Sequence, residues 1–213
     1  WQHDARAGNN VAFVYTDSII IAYSALTQSF VSQSYTGTLF GLGGSPSSIS
    51  NGCTESIAYF ITDQCFYVFD AENNEWYNHE IVGFGDIDND YFYVNPGYVL
   101  LKILDTSENE KLIAYSIHSK SFYEINHSFK TNLEALDYGF VVWDNDVDCP
   151  EEERFFACYS AIHNTWSKYQ KAEYARISTS SVAKSMIPRT VYMFRVSEDL
   201  EAPNIRHTFY LFN

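Results

Sequence analysis

The chain has 213 residues, a formal net charge of -14, and an aromatic content of 17% that includes 17 Tyr and 16 Phe. Thirteen basic residues against 27 acidic ones exclude nucleic acid as the expected partner, because phosphate binding needs clustered Lys and Arg. No apolar run approaches the roughly 18 residues of a membrane-spanning helix, so we expect no membrane insertion. The abundant aromatic side chains favour β-strands, and the length allows one sizeable core.

Five β-rich segments follow one another along the chain. They cover 11–24, 57–70, 98–116, 138–160 and 190–213. The first four each read as strand, turn, strand, with an Asp at the turn, where its side chain can bond nearby backbone amides. These residues are Asp17, Asp63, Asp105 and Asp144. Apolar residues do not recur at helical spacing, so the sequence predicts an all-β protein.

A motif of two aromatics seven residues apart closes each of the first four segments. It occupies 23–30, 69–76, 115–122 and 159–166. Its leading aromatics are Tyr23, Phe69, Tyr115 and Tyr159, and its closing aromatics are Phe30, Trp76, Phe122 and Trp166. The leading aromatics recur every 44 to 46 residues, a period typical of propeller blades. Each motif predicts a hairpin turn whose two aromatics pack between blades, while the Ser or Asp after the first aromatic bonds into the turn.

The stretch "VFDAENNEWYNHE" around Asp70 resembles the kelch-like repeats of β-propeller proteins, which carry a Tyr-Asp pair, a short turn and a Trp at similar spacing. The resemblance covers nearly the whole chain as a repeat pattern, although the paired glycines of kelch second strands are absent. It implies one β-propeller domain over residues 1–213, built of four-stranded blades.

The two ends of the chain carry parts of a fifth motif. Phe212 and Asn213 align with Phe69 and Asp70, and Trp1 takes the place of the missing closing aromatic. We therefore expect a ring of about five blades, in which the N-terminal strand completes the last blade and removes exposed sheet edges. A run of consecutive blades from a larger propeller is the alternative.

Two acidic strings are candidates for metal binding. Asp86, Asp88 and Asp90 alternate along "DIDND", and Asp144, Asp146 and Asp148 alternate along "DNDVD". Carboxylates at alternate positions of a loop can converge on Ca²⁺, the one cofactor that the sequence suggests. Solvated turns are the favoured interpretation of both strings, and the first string is the better candidate for a metal site.

A resemblance to five-bladed glycosidases would assign acid and base roles to carboxylates on inner strands. The candidates are Asp86, Asp88, Glu134 and Asp137. No local motif pairs them, so we expect a role other than catalysis, with a glycan-processing enzyme as the alternative.

Four cysteines form two close pairs in the sequence, Cys53 with Cys65 and Cys149 with Cys158. We expect each pair to form a local disulfide. Disulfides and the glycosylation sequon at Asn126 favour an extracellular or cell-surface protein. Four free thiols in a cytoplasmic protein are the alternative.

Aromatic-rich irregular segments are the predicted binding surface, because Tyr offers contact area and a polar tip at low entropic cost. The predicted ligand-binding residues are Tyr91, Phe92, Tyr93, Asn95 and Tyr98, although Tyr98 equally suits the core. The expected function is a non-catalytic binding or assembly module for a protein or glycan. A structural subunit that self-associates into a filament or surface layer is a further alternative.

Overall fold

The computed structural model describes residues 5–39, 51–81, 84–95, 97–105, 110–127, 131–136, 138–144, 155–170, 175–178, 192–199 and 205–212. The first sheet contains β1 (Ala5–Ala7), β2 (Val11–Tyr15), β3 (Ile19–Ser24) and β4 (Ser29–Ser34). The second contains β5 (Asn51–Cys53), β6 (Ile57–Ile61), β7 (Cys65–Asp70) and β8 (Glu75–Glu80). The third contains β9 (Phe84–Asn95), β10 (Tyr98–Asp105), β11 (Glu110–Ser116) and β12 (Ser121–His127). The fourth contains β13 (Thr131–Leu136), β14 (Gly139–Asp144), β15 (Phe155–Ser160) and β16 (Thr165–Gln170). The fifth contains β17 (Ala175–Ser178), β18 (Tyr192–Asp199) and β19 (Ile205–Phe212).

Every sheet is an antiparallel meander, because strands that follow one another in sequence are also neighbours in the sheet. The first four sheets have four strands each and are called the first to fourth blades. The three strands described after them are called the fifth sheet. Two of the predicted Asp turns, at Asp17 and Asp63, join the second and third strands of their blades, while Asp105 and Asp144 end such second strands.

The motif hairpins have the predicted geometry. Leading and closing aromatics face each other across the third and fourth strands of all four blades. Their ring centroids lie 4.8 to 5.3 Å apart. The last turn residue has a φ between 49° and 56° in each hairpin, namely Gln28, Asn74, Lys120 and Asn164. Asn tolerates this left-handed conformation better than most residues, which suits two of the four turns.

The second motif residue bonds into its own turn, as the sequence predicts. The Ser24 hydroxyl accepts the backbone N–H of Thr27 at 3.2 Å, and the Asp70 carboxylate accepts that of Glu72 at 2.8 Å. The Ser116 hydroxyl likewise accepts an N–H from its turn, at 3.1 Å. These bonds satisfy donors that the tight turn would otherwise leave unpaired.

The second residue of the motif also bonds to the next blade. The Ser24 hydroxyl donates to the Ala71 carbonyl at 2.6 Å, and the Ser116 hydroxyl donates to the Ala161 carbonyl at 2.5 Å. Asp70 instead forms an ion pair with Lys120 of the third blade. Ser24, Asp70 and Ser116 are called the latch residues, since each links two consecutive blades.

Consecutive blades pack face to face around three apolar clusters. One cluster lies between the first and second blades, one between the second and third, and one between the third and fourth. The face that a blade turns toward the next blade is called its forward face, and the opposite one its rear face. Stacked four-stranded antiparallel blades of this kind define an all-β fold of the β-propeller class.

The fifth sheet continues the repeat. Phe212 pairs with Tyr192 on the neighbouring strand, as the leading aromatic Tyr23 pairs with Ala12 in the first blade. The alignment of Phe212 with the leading aromatics stays a prediction, with which this pairing is compatible. Trp1 and Asn213 lie outside the described residues, so closure of the ring by the N-terminal strand stays a prediction.

Candidate functional site

The first and second blades differ in how their faces are covered. Every residue of β6 and β7 in the second blade is buried, as expected for a sheet packed on both faces. In the first blade, burial alternates along β2 and β3, so only one face is covered. The cluster between these two blades contains the covered face, which is the forward face of the first blade.

The rear face of the first blade is largely apolar and only partly covered, and it is called the open face. Val14, Ile19 and Phe30 are exposed there, and Ala12, Ile21 and Tyr23 are half-buried. The register positions of Ala12, Val14, Ile19, Ile21, Tyr23 and Phe30 match those of Ala58, Phe60, Cys65, Tyr67, Phe69 and Trp76 in the second blade. Phe30 is 73% exposed, whereas Trp76 is 8% exposed. Val14 is 37% exposed and its counterpart Phe60 is fully buried. The same repeat positions thus meet protein in one blade and solvent in the other.

In the second blade these positions bind the preceding blade. The Trp76 indole N–H donates to the Val31 carbonyl of the first blade at 3.3 Å. The Phe60 ring lies 5.2 Å from the ring of Tyr15 and 4.8 Å from that of Tyr35. The open face therefore has the side chains of a blade-binding surface without a described blade against it.

The open face carries no charged side chain. Residues 5–39 contain only two charged residues, Arg6 and Asp17, although the whole chain has a net charge of -14. The second blade, over 51–81, contains six acidic residues and no Lys or Arg. Burying an uncharged apolar surface needs no compensating ion pairs, so covering the open face would leave no charge unpaired on it.

Sequence reasoning missed the open face, although a signal for it exists. The run Ile19–Ala22 is apolar at four consecutive positions. Such runs are typical of strands that are covered on both faces, whereas a strand with one solvated face alternates. The sequence of the first blade therefore has the pattern of a blade with two neighbours.

The predicted aromatic ligand-binding residues do not form one exposed patch. Phe92 is half-buried and its ring lies 4.9 Å from that of Tyr59 in the second blade. Tyr93 lies against the cluster shared with the fourth blade, where Tyr98 is fully buried. Asn95 donates to the Tyr98 hydroxyl at 2.8 Å. Tyr98 is therefore a core residue, because its strand is packed on both faces.

Tyr91 and the first acidic string lie on β9, at an irregular part of the sheet. Ile87 pairs with Ile103 and Phe92 pairs with Leu101, so the four residues 88–91 oppose one residue, Lys102. The string that contains Asp86, Asp88 and Asp90 is thus part of a bulged first strand rather than a loop. The side chains of Asp86, Asp88, Asp90 and Tyr91 lie outside those described, so their predicted roles stay predictions.

The remaining carboxylate candidates are only partly placed. Glu134 is on the first strand of the fourth blade, as expected of an inner-strand residue, but its side chain is not described. Asp137, Asp146 and Asp148 lie outside the described residues. Across the described part of the chain, no group of three or more His, Cys, Asp or Glu side chains is arranged to hold a metal ion.

The predicted disulfide between Cys53 and Cys65 is not formed, since both are free thiols. Cys53 pairs with Ala58, whose partner on the next strand is Phe69, four residues from Cys65. Two strand spacings and four residues place the two Cα atoms roughly 16 Å apart. A disulfide needs Cα atoms within about 7 Å, so the two facing strands that the prediction required are not neighbours.

Cys158 is also a free thiol, and its predicted partner Cys149 lies outside the described residues. Burial raises the pKa of the Cys53 thiol to about 12, and it also raises the pKa of Cys65 and of Cys158. These thiols are therefore protonated and unreactive at neutral pH. The prediction of an extracellular location now depends on the sequon at Asn126, whose side chain is exposed on β12.

One charged cluster joins the outer strands of the second and third blades. The His79 Nε2 atom lies 2.9 Å from the Glu124 carboxylate, and the Lys111 ammonium lies 3.3 Å from the same carboxylate. Partial burial raises the pKa of Glu124, but the hydrogen bond with His79 and the charge of Lys111 outweigh it, so the net pKa is lowered. The cluster links the outer strands of two consecutive blades.

Comparisons with protein-family models and with curated proteins find no match to this sequence. Among solved structures, the chain is similar to the β-propeller domain of the Trilobed protease from Pyrococcus furiosus, at 9% identity and a TM-score of 0.37, over 98% of this chain and 67% of that one. It is also similar to the WD40 domain of SCAP from fission yeast, at 5% identity and a TM-score of 0.35, over 100% of this chain and 74% of that one.

A third similar structure is the acylaminoacyl peptidase of Pyrococcus horikoshii, at 10% identity and a TM-score of 0.34, over 97% of this chain and 37% of that one. At such identities the similarity concerns the fold alone. The chain is a β-propeller-type protein on the basis of its stacked blades, and its kelch-like resemblance is not confirmed. Among the described residues, no helix has the length and apolar character needed to cross a bilayer.

Proposed function

We propose that this chain is a non-catalytic protein-binding module that docks its partner on the open face of the first blade. The main support is the exposure of Phe30, 73%, at a position where the second blade buries Trp76 against its predecessor. Large exposed apolar patches on a soluble protein mark interaction surfaces. The absence of charge on this face adds to the support.

A protein partner fits the open face better than a glycan does. Glycan recognition needs polar groups that pair with sugar hydroxyls, since unpaired polar atoms are costly to bury. The polar groups on this side of the blade are the Tyr23 hydroxyl and, on β4 opposite Ile21 and Ile19, the exposed hydroxyls of Ser32 and Ser34. They are few beside the aliphatic and aromatic side chains. Val14, Ile19 and Ile21 instead suit the apolar face of another β-sheet.

The test uses a photo-reactive phenylalanine analogue placed at position 30. The control carries the same analogue at position 26, because Leu26 is 51% exposed in the motif turn of the same blade but lies outside the open face. We expect covalent adducts with a protein from position 30 and few from position 26. Each protein identified in adducts is then purified for direct binding measurements.

Two matched substitutions decide whether the binding is specific. Ile19→Ser lies on the open face and Ile162→Ser in the motif turn of the fourth blade, and both isoleucines are 38% exposed. We expect Ile19→Ser to weaken binding of the purified partner at least 10-fold and Ile162→Ser to leave it unchanged. Equal adducts at both positions, or equal effects of both substitutions, would reject the proposed function. Glycan-array binding that only Ile19→Ser abolishes would replace the protein partner by a glycan.

A further inference from the structure

We infer that the partner on the open face is a second copy of this chain, whose fifth sheet docks there so that copies join head to tail. The inference rests on the proposed function, because it names the occupant of the same face. Its support is the way that each described blade binds its neighbour, together with the open face, against which no described blade lies.

The three described blade interfaces follow one rule. The rear face of the second, third and fourth blades each receives the forward face of the blade before it. The closing aromatic takes part each time, as Trp76 packs on the first blade, Phe122 lies 5.5 Å from Phe66 of the second, and Trp166 lies 6.0 Å from Tyr123 of the third. Phe30 holds the same position on the open face, which therefore has the chemistry to receive a forward face.

The forward faces of the first four blades are all covered. Those of the first three blades form the clusters between blades. On the fourth blade, Val141 and Cys158 occupy forward positions and are 1% and 4% exposed. A second copy of this chain therefore offers none of these four faces, and the fifth sheet is the remaining donor among the described sheets.

The register of the fifth sheet supplies apolar residues at the forward positions. With Phe212 at the position of Tyr23, as the repeat predicts, Met193 and Leu211 stand where Phe13 and Ala22 stand in the first blade. Phe209 lies two residues before Leu211 on β19, at the position that Ile20 occupies on β3. The fifth sheet thus repeats the pattern by which the first blade docks onto the second.

A second copy is favoured over the same chain as the donor. The three strands of the fifth sheet are formed within the chain, yet Phe30, Ile19 and Val14 remain exposed. An acceptor face and a donor face on different parts of one molecule make a heterologous contact, which builds rings or filaments of copies. The first blade has one basic and one acidic residue, Arg6 and Asp17, and this balance limits the repulsion that a net charge of -14 would otherwise impose at the contact.

The first test measures the mass of the 213-residue chain by sedimentation velocity and light scattering over a wide concentration range. We expect mass to grow with concentration beyond that of a dimer. Ile19→Ser should shift this growth to concentrations at least 10-fold higher, whereas Ile162→Ser should not shift it. Circular dichroism of each variant checks that the strands are still formed.

Mixing two single-site variants then tests the head-to-tail geometry. Ile19→Ser removes the acceptor, and Leu211→Ser, with Met193→Ser as a second choice if it unfolds, removes the donor. At concentrations where the wild-type chain associates but each variant alone is still monomeric, their mixture should form a dimer, because each retains the half that the other lacks. This restored dimer would not arise from a contact between two open faces.

Three outcomes would overturn the inference. A wild-type chain that stops at a dimer, with no dimer in the mixture, would show that two open faces pair with each other. A wild-type chain that stays monomeric while Ile19→Ser lowers its thermal stability would show that the fifth sheet of the same chain closes the ring. Adducts from position 30 with a different protein only, and no self-association, would keep the proposed function and reject the second copy.

Discussion

The first and second blades are built from the same sequence repeat but differ in which of their faces are buried. Both have four strands in the same order, the same hairpin and a latch residue at the same position. Yet β7 is buried throughout, whereas β3 alternates between buried and accessible residues. The comparison shows that the repeat specifies a blade, and that the neighbours of the blade decide which of its faces is core.

The largest expected effect is a difference in stability between two substitutions at the same register position of the two blades. Phe60→Ala should lower the free energy of unfolding by about 3–5 kcal/mol, because it opens a cavity in the cluster between blades. Val14→Ala, at the equivalent position of the open face, should cost less than about 1 kcal/mol. Urea unfolding measures both. Similar losses for the two variants would mean that the open face is covered in the isolated chain.

A second effect compares the charged latch with a neutral one. Asp70→Ala removes a carboxylate that is 1% exposed and bonded to its turn and to Lys120, so we expect a loss of about 2–3 kcal/mol. Ser24→Ala removes one hydroxyl and should cost about 1–2 kcal/mol. A double-mutant cycle with Lys120→Met separates the ion pair from the turn bonds. Full additivity in that cycle would contradict the link between blades.

A third, smaller effect concerns the closing aromatics. Trp76→Phe removes the indole donor to the Val31 carbonyl and should lower the free energy of unfolding by about 1 kcal/mol. Phe30→Trp, on the open face, should change stability by less than about 0.5 kcal/mol. The indole introduced by Phe30→Trp should show the red-shifted fluorescence emission of a solvated side chain at low protein concentration. A blue-shifted emission from that indole would argue against an open face.

The smallest expected effect is a dependence of thermal stability on pH. The interface between the second and third blades should show it, and the interface between the first and second blades should not. The pKa of Glu124 is lowered in the folded protein, so its contribution to stability is present above the unfolded value of about 4.3 and is lost as pH falls through the folded value. Glu124→Gln should therefore reduce the loss of thermal stability between about pH 6 and pH 3. Between the first and second blades, Asn78 takes the position of Glu124 and Gln33 takes the position of His79, and neither side chain titrates. Gln33→Ala should leave the pH dependence unchanged, and an equal change in both variants would exclude the assignment to Glu124.

Much of the fold was predictable because the signals are local. The spacing of Phe69 and Trp76 predicts a hairpin, and the structure pairs them directly across it. Asp70 was predicted to bond into its turn, and it does. The bond from Asp70 to Lys120 was not predictable, because nothing in the turn sequence shows which residue of the next blade will lie beside it.

The candidate site was less predictable, because it depends on which faces are covered. The predicted aromatic group divides between two interfaces, with Phe92 toward the second blade and Tyr98 toward the fourth. Alternate residues of a strand point to opposite faces, so residues close in sequence need not share a surface. Ile19 and Phe30 form part of one surface although they are eleven residues apart.

The sequence by itself determined the repeat, the all-β class and the hairpin at each motif, because alternation, turn chemistry and aromatic spacing act within about ten residues. Only the tertiary structure decided that Tyr98 is core, that Cys53 and Cys65 are far apart, and that Phe30 is exposed. These facts depend on how segments some 46 residues apart pack against one another. Similar local patterns therefore give fully buried central strands where two neighbours are present and a partly exposed apolar face where one is described.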